Sequence, residues 1–88
     1  MYFAQVIGTV WATRKDENLS GFKLQFIQPL NRNREKAGDP IVAVDTVGAG
    51  YRERVLAVSG SSARMAEGCK DTPVDTAIVG IVDDVRLD

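Results

Sequence analysis

Two short runs of small and polar residues bracket one apolar segment in the second half of this chain. Residues 45–50, DTVGAG, directly follow an apolar run, and residues 59–64, SGSSAR, follow the next apolar segment. Glycine and alanine let the backbone take positive φ, or let another chain approach closely. The residues alone leave both interpretations open, and two tight turns in a small β protein is the simpler one.

The length of 88 residues predicts a single domain over residues 1–88, with room for one small core. A chain of this size buries only about 60–65% of its unfolded surface, so its core supplies little stability. Cys69 is the only cysteine and the sequence has no histidine, which leaves neither an internal disulfide nor a Cys/His zinc site. Oligomerisation is therefore the expected source of additional stability.

The charges are nearly balanced, with 11 Lys and Arg against 12 Asp and Glu and a formal net charge of −1. This balance argues against an extended phosphate-binding surface, and so against nucleic acid as a partner. The first residues lack the positive start and long apolar run of a signal peptide. No apolar run approaches the roughly 20 residues of a membrane-spanning helix, so we expect no membrane partner.

Alternating and apolar segments predict five strands, at residues 3–13, 22–30, 41–45, 52–59 and 74–83. A short helix is predicted before the last strand, capped by Ser61 or Ser62, running to about Glu67 and stopped by Gly68. The predicted fold class is all-β: a small five-stranded β-barrel, closed or nearly closed, with one short helix between strands four and five. Closure removes the exposed strand edges that would invite aggregation.

The side-chain pattern also predicts which faces are buried. Trp11 is interpreted as a core anchor, with an interface anchor as the alternative. The fourth strand is apolar on both faces, which predicts cover by the core on one side and by something else, such as a neighbouring subunit, on the other. In the second strand the predicted inward residues are Phe22, Leu24 and Phe26, and the predicted outward residues are Lys23, Gln25 and Ile27.

The sequence contains no convincing set of catalytic residues. Histidine, the usual general base, is missing, and no histidine or second cysteine completes a nucleophile pair with Cys69. Asp83 and Asp84 are neighbours, which point to opposite faces of a strand and do not form a paired-carboxylate site. Gly48 and Gly50 lack the third glycine and following helix of a dinucleotide site. We therefore expect no enzymatic activity, no cofactor and no metal.

Three blocks of the sequence carry a family resemblance. They read VIGTVWATRKDENLSGFKLQFIQPL, DTVGAGYRERVLAVSGSSAR and PVDTAIVGIVD. In this order and spacing they resemble the EutN/CcmL family, the pentameric vertex proteins of bacterial microcompartment shells, over residues 1–83. The resemblance implies an OB-like barrel, a homopentamer, and a structural role in closing a polyhedral shell in the cytoplasm. It also implies hexameric shell proteins as partners.

Two other functions stay open on the residues alone. An OB-fold module could bind nucleic acid, and Arg32, Arg34 and Lys36 lie close together in residues 31–40. No aromatic platform accompanies them, so an exposed hairpin tip is the simpler interpretation. A small anion-binding protein could use the serine-rich helix start at residues 59–62.

We predict that residues 45–50 and 59–64 lie at the subunit interface, with part of their backbone near the five-fold axis. Five copies converging on an axis leave little room, which favours small residues. Asp45 and Arg64 are candidates for polar contacts there, because Arg can form a two-pronged bond with a carboxylate. The alternative is that the glycines serve turns within one subunit and Arg64 faces water. The predicted interface residues are Asp45, Val47, Gly48, Ala49, Gly50, Ser59, Gly60, Ser61 and Arg64.

Overall fold

The chain forms five strands and one short 3₁₀ helix in this computed structural model, which describes residues 1–11, 21–66, 69 and 75–86. The strands are β1 (Tyr2–Val10), β2 (Lys23–Leu30), β3 (Ile41–Asp45), β4 (Arg54–Ser59) and β5 (Thr76–Ile81), and the 3₁₀ helix Gly60–Met65 lies between β4 and β5. All five predicted strands are present, although most are shorter than predicted. Three predicted ends lie outside the described residues: the end of the first strand at residues 12–13, the helix end at Glu67 and Gly68, and the start of the last strand at residue 74.

The strands close into a barrel in the order β1-β2-β3-β5-β4, with β4 pairing back to β1. The pairing between β3 and β5 is parallel and the other four are antiparallel. The predicted all-β fold, a closed five-stranded barrel with one short helix before the last strand, is therefore confirmed.

Small and branched apolar side chains fill the barrel interior. Half of the interior cluster is alanine, as the narrow lumen of a five-stranded barrel requires. Alanine removes little apolar surface from water, so this interior gives the isolated subunit limited stability. The cluster consists of Ala4, Val6, Ile27, Ala43, Ala49, Val55, Ala57 and Ile78.

A second apolar cluster lies on the outer face of β3, β4 and β5. It consists of Val44, Val58, Ala63, Cys69 and Ala77. Ala63 belongs to the 3₁₀ helix and Cys69 to the segment after it, so the chain itself covers part of the outer face. The apolar second face of β4 is therefore explained in part within the subunit, not only by a neighbour. Burial in this cluster raises the pKa of the Cys69 thiol, which favours its neutral form.

The predicted faces of β2 are wrong. Gln25 and Ile27 point into the barrel, where Gln25 is only 1% exposed, whereas Phe26 lies outside with 37% of its surface exposed. The Gln25 amide can be buried because it finds polar partners inside the barrel. Phe22 and Leu24 are also on the outer side, where they pack against the second cluster. An apolar face does not identify the interior of a sheet that is buried on both faces.

The start of the 3₁₀ helix also differs from the prediction. Ser59 occupies the cap position and makes no side-chain cap hydrogen bond, so neither Ser61 nor Ser62 caps the helix. The Ser59 hydroxyl instead lies 3.0 Å from the Tyr2 hydroxyl and 3.4 Å from the Thr76 hydroxyl. Contacts with β1 and β5 therefore hold the helix start in place. Within the described residues, no helix is long and apolar enough to cross a membrane.

Trp11 follows β1 on the surface of the subunit. Its side chain is 90% exposed, so the interpretation of Trp11 as a core anchor of the subunit is wrong. The alternative, an interface anchor, stays a prediction. Residues 31–40 are exposed throughout, as expected for a hairpin tip.

Candidate subunit interface

The two predicted interface stretches meet along one groove on the outer surface. The loop after β3 and the 3₁₀ helix both contribute to this groove, and Val58 of β4 and Val79 of β5 line it between them. Most of the lining side chains are apolar. We call this surface the β4–β5 groove; its residues are Met1, Thr46, Val47, Val58, Ser62, Met65, Ala66 and Val79.

Asp45, the last residue of β3, fixes the loop that lines one side of the groove. Its carboxylate is buried and accepts three backbone hydrogen bonds from that loop. Oδ1 accepts from the N–H groups of Val47 and Gly48, both at 2.9 Å, and Oδ2 accepts from the Ala49 N–H at 2.8 Å. A side chain that satisfies three successive N–H groups folds the chain back on the strand end, as in an Asx turn.

Gln25 extends the same network into the barrel interior. Its Nε2 donates to Asp45 Oδ2 at 3.2 Å and to the Ala49 carbonyl at 2.9 Å. Its Oε1 accepts from the Thr9 hydroxyl at 3.2 Å. The network therefore joins β1, β2, β3 and the loop, and in a buried site such bonds are stronger than in water. Sequence reasoning missed Gln25, because a polar residue in a strand looks solvent-facing until its partners are known.

Backbone geometry explains the glycines within the subunit. Gly48 and Gly60 have φ of +74° and +69°, and a Cβ at either would meet no atom of the subunit, so conformation and not space requires glycine. The Gly60 N–H also donates to the Asp75 carbonyl at 2.8 Å. Gly50 donates to Glu53 Oε1 at 2.6 Å, and a Cβ there would lie only 3.0 Å from the same oxygen. These glycines serve turns inside one subunit, whatever lies against their outer surface.

The nine predicted residues divide between the interior and the surface. The side chains of Asp45 and Ala49 make their contacts within the subunit. Asp45 therefore does not pair with Arg64 inside one subunit. The only ion pair among the described residues joins Arg86 to Asp84, which leaves the exposed Arg64 guanidinium without a carboxylate in this part of the chain. The location of the nine predicted residues at a subunit interface stays a prediction. Asp45 and Ala49 are buried, Gly50 is half-buried, and the exposed ones are Val47, Gly48, Ser59, Gly60, Ser61 and Arg64.

Five groove residues lie outside the two predicted interface stretches: Met1, Val58, Met65, Ala66 and Val79. Met65 is 87% exposed beside Arg64, and Met1 is exposed at the start of β1. Val79 lies on β5, which is distant in sequence from both predicted stretches. Met65 had a usable signal, since a large apolar residue directly follows the SGSSAR run. Met1 and Val79 reach the groove only through the strand pairing.

A small closed barrel with an apolar surface groove is typical of a module that works by association.

The comparison with known proteins identifies the family. The profile described as "Ethanolamine utilisation protein EutN/carboxysome" matches residues 1–83. The chain belongs to the EutN/CcmL family, and the predicted resemblance is confirmed.

Similar proteins match along nearly the whole chain. GrpN of Rhodospirillum rubrum (strain F11), named a bacterial microcompartment shell vertex protein, is 48% identical over 98% of this chain and 97% of its own. CcmL of Thermosynechococcus vestitus, named a carboxysome shell vertex protein, is 44% identical over 100% of this chain and 89% of its own. A solved structure described as the GrpN pentameric microcompartment shell protein from Rhodospirillum rubrum superposes with a TM-score of 0.89 at 45% identity, covering 100% of both chains.

Replacing Asp45 with alanine should strongly destabilise the subunit. The change leaves three loop N–H groups and one Gln25 N–H without their acceptor, and each buried unsatisfied donor costs about 1–3 kcal/mol. Because part of the loop can turn to water, we expect a loss of roughly 2–4 kcal/mol in the free energy of unfolding, measured by urea denaturation. The matched control Asp39→Ala removes an exposed carboxylate and should change the free energy of unfolding by less than about 0.5 kcal/mol. Equal effects of the two substitutions would contradict the role of Asp45.

Proposed function

We propose that this chain is a structural protein of a bacterial microcompartment shell, that it assembles as a homopentamer, and that the pentamer occupies the vertices of the shell. The observation that carries the proposal is membership of the EutN/CcmL family over residues 1–83. Relatives that match nearly the whole chain are named as shell vertex proteins. The pentameric GrpN structure has the same fold over its full length, which supports a pentamer here.

The subunit has physical features that favour a ring. Its interior is small and rich in alanine, and an apolar groove stays open on its surface. Cyclic assembly uses head-to-tail contacts that close on themselves. A contact on the order of 2,000 Å² per neighbouring pair would cover about a third of the 6,007 Å² surface of each subunit, because each subunit takes part in two contacts. Burial on this scale supplies the stability that a chain of 88 residues lacks alone.

The pentamer acts by its shape. A five-fold unit placed in a flat hexagonal sheet forces curvature, which allows the sheet to close as a polyhedron. The partners are then the hexameric shell proteins of the facets, and the location is the shell itself. The relatives are named as shell vertex proteins, which supports a structural role over an enzymatic one.

The candidate interface fits this role. The Asp45 and Gln25 network holds the loop side of the β4–β5 groove, and the 3₁₀ helix supplies Ser62 and Met65 on the other side. Arg64 is exposed directly before Met65 in the same helix. A rigid surface loses less entropy on association than a mobile one. Arg64 then pairs with a carboxylate of the neighbouring copy.

The family and its named relatives favour this role over the two alternatives, a nucleic-acid-binding OB-fold module and a small anion-binding protein. Trp11 and Tyr51 are exposed aromatic residues, as base stacking would need. The formal net charge of −1 nevertheless gives the chain no general attraction for a phosphate backbone.

Replacing Arg64 with alanine should weaken the pentamer and leave the barrel folded. The loss of a charged contact at each interface should raise the concentration at which the ring dissociates by about tenfold or more, which corresponds to about 1.4 kcal/mol. Sedimentation over a dilution series measures the dissociation, and circular dichroism checks the strand content. Arg32→Ala, which removes an exposed arginine outside the candidate interface, is the matched control. If Arg64→Ala dissociates no more readily than this control, the interface lies elsewhere.

Removing the protein should leave shells that do not close. We expect a recombinant shell system of its host to form open, elongated or leaky shells without this chain, while the enclosed enzymes stay active in extracts. Electron microscopy of purified shells measures closure, and expression of the chain from a plasmid should restore it. Closed shells of normal shape in the absence of every vertex protein would refute the assignment.

A further inference from the structure

The exposed loop that follows β2 carries three cations close together. Arg32, Arg34 and Lys36 occupy every second position of residues 31–37, a segment that contains one carboxylate, Glu35. The one ion pair among the described residues lies near the end of the chain, so none of the three cations is neutralised within this part of the protein. We call residues 31–37 the basic loop.

Hydrogen bonds fix the basic loop as an extension of β2. Asn31 Oδ1 accepts from the Glu35 N–H at 3.1 Å, and the Asn31 N–H donates to the Glu35 carbonyl at 2.8 Å. The Ala37 N–H donates to the Pro29 carbonyl of β2 at 3.0 Å. Within this frame Arg34 keeps a positive φ of 64°, which a residue other than glycine rarely adopts. The loop is therefore already ordered, and a partner that binds it does not have to order it.

An apolar pocket lies beside the basic loop. Phe3 of β1 pairs in register with Leu30 of β2 and with Leu56 of β4, so three apolar side chains stand side by side across three strands. They line a pocket of about 410 Å³, which we call the Phe3 pocket. It is a different surface from the β4–β5 groove, although the two share Met1. Its lining residues are Met1, Tyr2, Phe3, Leu30, Arg32 and Leu56.

Two cations of the basic loop stand at the edge of the Phe3 pocket. Arg32 lines the pocket directly. Lys36 forms an isolated antiparallel bridge with Leu30, and residues directly opposite each other in such a pair point to the same face. Because Leu30 lines the pocket, the Lys36 side chain rises on the pocket side. No carboxylate is among the lining residues that the structure describes, so the pocket has an apolar floor and a positive edge.

We propose that the Phe3 pocket and the basic loop together bind an acidic peptide segment of another protein. An apolar side chain of that segment fills the pocket, and its carboxylates lie on Arg32 and Lys36. The Arg32 guanidinium can hold a carboxylate through two parallel bonds, and Lys36 adds a point charge. The volume of about 410 Å³ lies within the range of pockets that hold small organic groups. This binding site is additional to the proposed shell role and does not depend on it.

The shape of the pocket favours a peptide over nucleic acid. Bases stack on exposed, flat aromatic faces, whereas Tyr2 and Phe3 are half-buried in a concave surface. The Tyr2 hydroxyl also lies 3.0 Å from the Ser59 hydroxyl, within the subunit. A phosphate backbone needs an extended positive surface, and the formal net charge of the chain is −1. An acidic peptide needs only a few local cations, because its apolar side chain supplies the remaining contact.

Fluorescence anisotropy with synthetic peptides tests the proposal. The probes are short labelled peptides with one leucine before, within or after a run of glutamates, and the protein is the full chain in its own assembly. At least one probe should bind the wild type, and Arg32→Glu should weaken that binding by about tenfold or more. Replacing the probe's leucine with serine should weaken it by about tenfold as well, because the pocket then loses its apolar occupant.

Lys23→Glu is the matched control for the change of charge. Lys23 is exposed at the opposite end of β2, an eight-residue strand, from the basic loop. At physiological ionic strength, charges further apart than the Debye length of about 8 Å are largely screened, so this variant should bind the probe like the wild type. Circular dichroism checks that both variants are folded, and native mass spectrometry gives the mass of each assembly in the same buffer.

Four results would overturn the proposal. The wild type binds none of the peptides, the serine probe binds as tightly as the leucine probe, or Lys23→Glu loses as much affinity as Arg32→Glu. In the fourth, a single-stranded thymidine oligonucleotide binds more tightly than the peptides, which assigns the surface to nucleic acid. A pentamer that binds no peptide overturns this proposal alone and leaves the proposed function in place. A wild-type sample that is not pentameric counts against the proposed function, whether or not it binds the peptide.

Discussion

The carboxylate of Asp45 is the contact on which the rest of the structure depends. It lies where β3 ends and the following loop begins, and it accepts a hydrogen bond from Gln25 of the neighbouring strand β2. Without this acceptor, the loop N–H groups would have to turn to water, because buried backbone donors need a partner. One side chain therefore joins the polar network inside the barrel to the outer groove that we propose for assembly.

A sheet with two apolar faces needs cover on both. The inner face has the barrel core, and the 3₁₀ helix and Cys69 cover part of the outer face. Apolar surface that includes the β4–β5 groove has no cover within the subunit. The small core and the uncovered apolar surface both favour assembly. A ring buries additional apolar surface, and it places a neighbouring subunit over the surface that one subunit leaves exposed.

The fold was largely predictable because its signals are local. Period-two alternation and the breaks at glycine and proline predict five strands and the place of the helix. The faces of β2 were predicted wrongly because Leu24 and Phe26 make the outer face the more apolar one, and because the polar partners of the buried Gln25 are distant in sequence. The same limit applies to the candidate interface. The two predicted stretches do meet along one groove, but only the structure reveals that Asp45 and Ala49 are buried while Val79 of β5 lines the groove.

The mass of the wild-type protein in dilute solution tests the central claim most directly, because the proposed function depends on a surface that becomes buried only in the ring. Native mass spectrometry or light scattering at low micromolar concentration measures it. A pentameric ring predicts one species with the mass of five chains, stable on further dilution. A folded, stable monomer under these conditions would contradict the account, because its apolar β4–β5 groove would then be open to water without a partner.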